Sequence, residues 1–176
     1  MSTLVLGHEP EIEDWLARRR ALGQDRRDEV WEGVYHVAPH EHARNGIAAM
    51  ALAELLAGPA RSAGLVPGGS FNLGEPQDFR VPDLGYHRGP VDELYVPSAA
   101  LVVEVLSPHD ETFAKFDFYA RHGVDEVWVL DPVERTVRCW RRREQAYEES
   151  ERSVLLGLDL AEVVEDLVRR LPARPQ

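Results

Sequence analysis

The chain of 176 residues is short of several things, and each shortage excludes a class of protein. It has one cysteine, Cys139, so no internal disulfide can form and the fold must be held by burial, as suits a reducing cytoplasm. No apolar run approaches the roughly 20 residues that a membrane helix requires, and the first ten residues lack the basic and apolar segments of a secretory signal. The expectation is therefore a cytoplasmic protein with no membrane partner. Basic residues are also in deficit: 20 Lys and Arg stand against 31 Asp and Glu, a formal charge of -11. That balance argues against a protein that coats nucleic acid without specificity, while leaving room for a local basic groove. Lysine is as scarce as cysteine: Lys115 is the only one in the chain. Arginine replaces lysine freely as a solubilising charge but not where a compact ammonium must approach a reacting centre, so Lys115 is a candidate on composition alone.

What remains is 44% hydrophobic and 29% charged, enough for a single compact domain over residues 1–176. Residues 9–22 read as a helix with acids early and Arg18, Arg19 and Arg20 late, matching the helix dipole. Residues 30–37 alternate as one strand, and 43–57 follow as an Ala/Leu-rich helix stopped by Gly58-Pro59. Short strands are expected at 70–73 and 79–87, the second with Pro82 at an edge or a bulge. The clearest element is 99–106, whose continuous apolar run predicts a strand covered on both faces. A helix over 110–122, with Asp110 or Thr112 as its N-cap, crosses to a strand at 126–130. A strand at 136–142 and an amphipathic helix at 158–171 complete a mixed α/β domain.

Glu104 stands in the middle of the most apolar strand, where an unpartnered carboxylate would cost several kcal/mol. A structural ion pair or a divalent metal would each offset that cost. Alternation puts Val102, Glu104 and Leu106 on one face. Asp83, after Pro82, lies beside Glu104 if the two strands are neighbours, and a pair of acids at that distance calls for a cation such as Mg²⁺. Taken alone, the Pro-Asp pair also fits an ordinary turn. His36, His40 and His42 form a dense group but lack the helical spacing or cysteine partners of a zinc site; His42, opening a helix, is the one expected to line a cleft. Asp131-Pro132 reads as turn chemistry, Trp128 and Trp140 as core or interface, and Arg18–20 and Arg141–143 either as phosphate contacts or as solvated charge.

Val81-Pro82-Asp83, the run Leu101-Val102-Val103-Glu104-Val105-Leu106-Ser107-Pro108, Lys115, Tyr119, Gly123-Val124 and Val127 to Pro132 occur in an order that resembles the Uma-two family of restriction-endonuclease-like proteins. The stretch Glu29 to His36, with His42, is similar to that family as well. The family is assigned to the PD-(D/E)xK nuclease superfamily. The resemblance covers most of 28–140 and implies a restriction-endonuclease-like core, about 28–143, with a mixed central β-sheet flanked by α-helices. It implies that Asp83 and Glu104 ligate Mg²⁺, with Mn²⁺ as a substitute, and that a lysine assists the attacking water. Position 106 is Leu where the superfamily has Lys, so Lys115 on the following helix takes that part, with Tyr119 bracing it from one turn away. Glu32 is the third candidate ligand, by analogy with an N-terminal acid in such nucleases, or else an exposed strand residue. The function implied is a Mg²⁺-dependent endonuclease cutting DNA, as a homodimer if both strands are cut. A non-catalytic binding or regulatory module and a metal-dependent small-molecule phosphoesterase are the alternatives, the latter better suited to the acidic charge.

Overall fold

The computed structural model describes residues 4–6, 10–38, 42–108 and 111–173. The chain runs β1 (Leu4–Leu6), α1 (Pro10–Ala21), β2 (Glu29–Trp31), β3 (Val34–Val37), α2 (Ala43–Ser62), β4 (Val66–Gly68), β5 (Asn72–Glu75) and β6 (Asp78–Arg80). It continues with β7 (Leu84–His87), β8 (Tyr95–Val96), β9 (Leu101–Val105), a 3-10 turn (Thr112–Lys115), α3 (Phe116–Arg121) and β10 (Glu126–Asp131). The last elements are β11 (Thr136–Arg143), β12 (Ala146–Ser150), β13 (Arg152–Ser153), β14 (Leu158–Asp159) and α4 (Leu160–Arg170). Two six-stranded mixed sheets result, in the orders β1-β3-β2-β6-β5-β8 and β12-β11-β10-β9-β7-β4, with β13 and β14 as a separate ribbon.

The second sheet is the centre of the molecule. β9 and β10 run parallel, joined by the 3-10 turn and α3, and every residue of β9 is buried. Leu101, Val103 and Val105 join Leu52 and Leu56 of α2 and Leu167 of α4 in one core cluster. Val102 joins Val127, Val129, Phe118 and Tyr119 in the other. Glu104 therefore points to the α3 side, as its parity with Val102 requires.

Four expectations are revised. The strand over 30–37 is a hairpin, with Glu32 (φ 51°) and Gly33 (φ 83°) as its two-residue turn. Positive φ at both central positions matches the right-handed strand twist, and Gly33 adopts it without penalty. The strand over 79–87 is divided between the sheets: β6 belongs to the first and β7 to the second, with Val81-Pro82-Asp83 crossing between them. Pro82 has no N–H to give to a ladder, so pairing is readily broken there. Helix α2 passes through Pro59 to Ser62, because Leu56 and Ala60 are fully buried before and beyond the break and their packing outweighs the lost hydrogen bond. Thr112 is buried in the 3-10 turn and is not an α-helical cap; Asp110 lies outside the described residues. Gly74 (φ 121°) is needed where β5 meets α3, since a Cβ there would stand 2.8 Å from the Phe118 ring.

Candidate active site

Asp83 and Glu104 are brought together by the antiparallel pairing of β7 with β9. Leu84 faces Val103, so extending the register by one residue sets Asp83 opposite Glu104. Backbone hydrogen bonds pin the pair: Asp83 N–H donates to the Val103 carbonyl at 3.0 Å, and Val105 N–H donates to Asp83 Oδ2 at 2.7 Å. The other oxygen, Oδ1, accepts from Arg27. Glu104 is 4% exposed.

Lys115 ends the 3-10 turn and turns its ammonium onto the same face. Its Nζ lies 3.2 Å from Glu104 Oε1 and 2.8 Å from Glu29 Oε1. Tyr119, four residues on, donates its hydroxyl to Glu104 Oε1. This is the i, i+4 neighbour relation, and it lets one short helical segment grip the carboxylate at two points. Glu29 is the residue that sequence reasoning missed. It opens β2, and besides Lys115 it accepts from Val81 N–H (2.8 Å) and, through Oε2, from Trp31 Nε1 (2.6 Å). The signal was present: Glu32-Gly33 is a two-residue hairpin turn, and reading it so makes 29–31 a short separate strand with Glu29 and Trp31 on one face.

Glu32 does not join the cluster. It is exposed at the tip of the hairpin, and its backbone N–H is held by Asp78 Oδ1 at 3.0 Å. The chain reverses at that point, so a residue three beyond Glu29 is carried away from the acids. His42 is exposed and caps α2, its Nδ1 accepting from Arg44 N–H at 3.2 Å, with no contact to the carboxylates. His36 is buried opposite Glu29 in the hairpin and stacks on Trp31 at 4.5 Å between ring centroids. His40 lies outside the described residues. Asp131 closes the turn, its Oδ1 accepting from Val133 and Glu134 N–H. Arg142 and Arg143 pair with Asp125 and Glu148. Trp128 and Trp140 are buried.

Burial pushes the Glu104 carboxyl up to about 8; Asp83 and Glu29 add to the rise, while Lys115 and the Tyr119 hydroxyl oppose it. Burial works against the Lys115 ammonium, but the Glu104 and Glu29 carboxylates outweigh it and hold its pKa above the ordinary lysine range. Tyr119 is likewise raised, by burial and then by Glu104, so its hydroxyl keeps its proton. Three acids thus face the two cations Lys115 and Arg27, and the group is neutral when Glu104 carries a proton.

Among the described residues, no group of three or more His, Cys, Asp or Glu side chains is drawn together tightly enough to hold a metal ion. The Lys115 ammonium stands between Glu29 and Glu104. In donor type and charge, however, Asp83 and Glu104 fit a small hard dication: both are carboxylates, one in β9 and one at the entry to β7, and burial first, with Asp83 adding to it, disfavours the Glu104 charge that such an ion would stabilise.

A crystal structure of "a putative nuclease belonging to DUF820" from Anabaena variabilis ATCC 29413 resembles this chain with a TM-score of 0.62 and 15% sequence identity, covering 80% of this chain and 90% of that one. At that identity the likeness speaks for the fold alone, a mixed α/β architecture. No curated protein sequence matches the chain. No helix among the described residues is long and apolar enough to cross a membrane. The model of the family Uma2, described as "Putative restriction endonuclease", matches residues 11–171, which contain every member of the cluster, and the chain belongs to that family.

Proposed function

We propose that this protein is a divalent-metal-dependent endonuclease that hydrolyses phosphodiester bonds of DNA. The observation that carries the reading is the meeting of Asp83, Glu104 and the chain's single lysine on one face of the central sheet. The family supports the nuclease class, and the buried acids support the metal.

In this reading Asp83 and Glu104 hold Mg²⁺, with Mn²⁺ able to substitute. When bound, such an ion polarises the phosphate and makes its bound water more acidic. The chain's own residues do the rest. Lys115 places a fixed positive charge beside the acids, where it steadies negative charge developing on the attacked phosphate. Glu29 is a positioning residue: by holding Nζ at 2.8 Å it keeps the ammonium from swinging away. Tyr119 fixes the Glu104 rotamer and fills the space beside it, being fully buried. Cutting both strands of a duplex would require two copies of this site, which a homodimer supplies.

Plasmid nicking with Mg²⁺ or Mn²⁺ tests the proposal. The parent should nick, and Asp83→Asn, Glu104→Gln and Lys115→Met should each lose at least about 100-fold in rate. Parental rates in all three variants would reject the site. The charge of -11 gives one competing reading a footing, a phosphoesterase acting on small molecules. Hydrolysis of a small phosphodiester by the parent, lost in Glu104→Gln, with no DNA nicked, would favour it.

A further inference from the structure

The hairpin that supplies Glu29 has a second face. Val30 points away from the carboxylates, opposite Tyr35 on β3 and Phe79 on β6, so the three form one row across three strands. Tyr95 of β8 meets Phe79 edge-on at 5.2 Å. This row floors a cleft of about 800 Å³, within the usual size for small-ligand sites. Tyr35 and Tyr95 are only partly buried, leaving aromatic surface open to the cleft. Arg20 and Arg26, both exposed, stand on its rim, Arg20 hydrogen-bonded to the Tyr35 side chain, and the neighbouring Arg19 is paired with Asp28 at 2.9 Å. Asp25 and Glu93 also line the rim and offer acceptors.

Aromatic faces, guanidinium groups and carboxylate acceptors together match one class of ligand: a flat base with N–H groups on its edge and an anionic phosphate attached. We infer that this cleft is a nucleotide-binding site, taking the base against Tyr35 and Tyr95 and the phosphate on Arg20 and Arg26. The nucleotide is either an unpaired unit of a nucleic-acid strand or a free nucleoside monophosphate.

The connection to the carboxylate cluster favours the strand. Arg26 lines the cleft, Arg27 binds Asp83, Asp28 lines the cleft again and takes the Ala38 N–H at 2.9 Å, and Glu29 holds Lys115. Four consecutive residues thus alternate between the two places, so the cleft and the proposed cleavage site are two faces of one segment and are coupled through its backbone. In its choice of the strand as source, the inference rests on the endonuclease reading; the site itself does not.

The test is binding without turnover. With EDTA present, a fluorescein-labelled short oligodeoxyadenylate is titrated with the parent and followed by anisotropy, and dAMP is titrated by calorimetry. The expected result is binding of the oligonucleotide, weakened about tenfold by Tyr95→Ala and by Arg26→Glu, with Arg26→Lys retaining most of the affinity. Arg26 is exposed, so its variants should melt with the parent and report binding rather than folding. Binding of dAMP alone, with the same dependence on Tyr95 and Arg26, supports the site with a free nucleotide as its source. No binding of either probe to the parent, or affinities that ignore both Tyr95→Ala and Arg26→Glu, would overturn it. Loss of nicking with binding intact would instead count against the endonuclease reading.

Discussion

Two buried glutamates on adjacent parallel strands have opposite surroundings. Glu126, 1% exposed at the start of β10, receives Val154 N–H at 2.8 Å, Leu155 N–H at 2.9 Å, Ser153 Oγ at 2.6 Å and Trp128 Nε1 at 3.2 Å. Its donors are neutral and fixed, and they fasten the segment after β13 to the sheet. Glu104, 4% exposed in β9, has one phenol, one ammonium and two further acids around it. Burial of an acid therefore does not by itself mark function. Glu126 is closed by neutral donors, as a structural carboxylate should be, whereas Glu104 sits in a group with more acids than cations.

The sharpest way to break this contrast is to exchange the two effects. Glu104→Gln should cut nicking by at least about 100-fold and leave the fold intact, because the amide oxygen can still accept from Tyr119. Glu126→Ala should leave nicking per folded molecule unchanged yet lower unfolding stability by about 3 kcal/mol or more, since several buried donors lose their acceptor. Urea unfolding of both variants, alongside plasmid nicking, separates the outcomes. A destabilised Glu104→Gln with an inactive but stable Glu126→Ala would reverse the assignment.

A smaller effect is expected from pH. Glu104 is raised from 4.5 to about 8 in the folded chain, so the folded state binds the proton more tightly than the unfolded one. Its contribution is complete below 4.5 and is lost as pH climbs to about 8, amounting to a few kcal/mol at most. Melting temperatures of the metal-free protein should fall across that window, and the fall should be shallower in Glu104→Gln. Equal slopes would mean that the proton is not on Glu104.

The smallest effect is at the hairpin tip. Glu32→Asn places a residue tolerant of positive φ in the turn and should raise stability by up to about 1 kcal/mol. Nicking should not change, because Glu32 touches none of the acids. A large activity loss there would restore Glu32 to the site.

Much of this arrangement was legible in the sequence, for reasons that can be stated. Glu104 stood out because a charge interrupts an otherwise unbroken apolar strand, and Lys115 because the chain has no other lysine. The face of Glu104 followed from strand parity, whereas the reach of Lys115 from the following helix to that face did not follow from the sequence. Glu29 was hidden because it lies at the edge of its apolar run, and because Val30 to Val37 alternates well enough to pass for one strand. The transfer of the chain between sheets at Pro82 was equally hidden: proline signals interrupted pairing, but local pattern does not say that the strand resumes in a different sheet. The cleft beneath Arg26 arises where the β2–β3 hairpin meets β6 and β8, strands distant from it in sequence, and periodicity within any one of them carries no trace of it.

The most direct measurement is calorimetric titration of Mn²⁺ at pH 7 in buffers of differing ionisation enthalpy. With Glu104 raised to about 8, binding at Asp83 and Glu104 should release a proton, so the observed heat should vary with the buffer, and both binding and release should vanish in Glu104→Gln. Equal Mn²⁺ binding by parent and Glu104→Gln, with no proton released by either, would contradict the account.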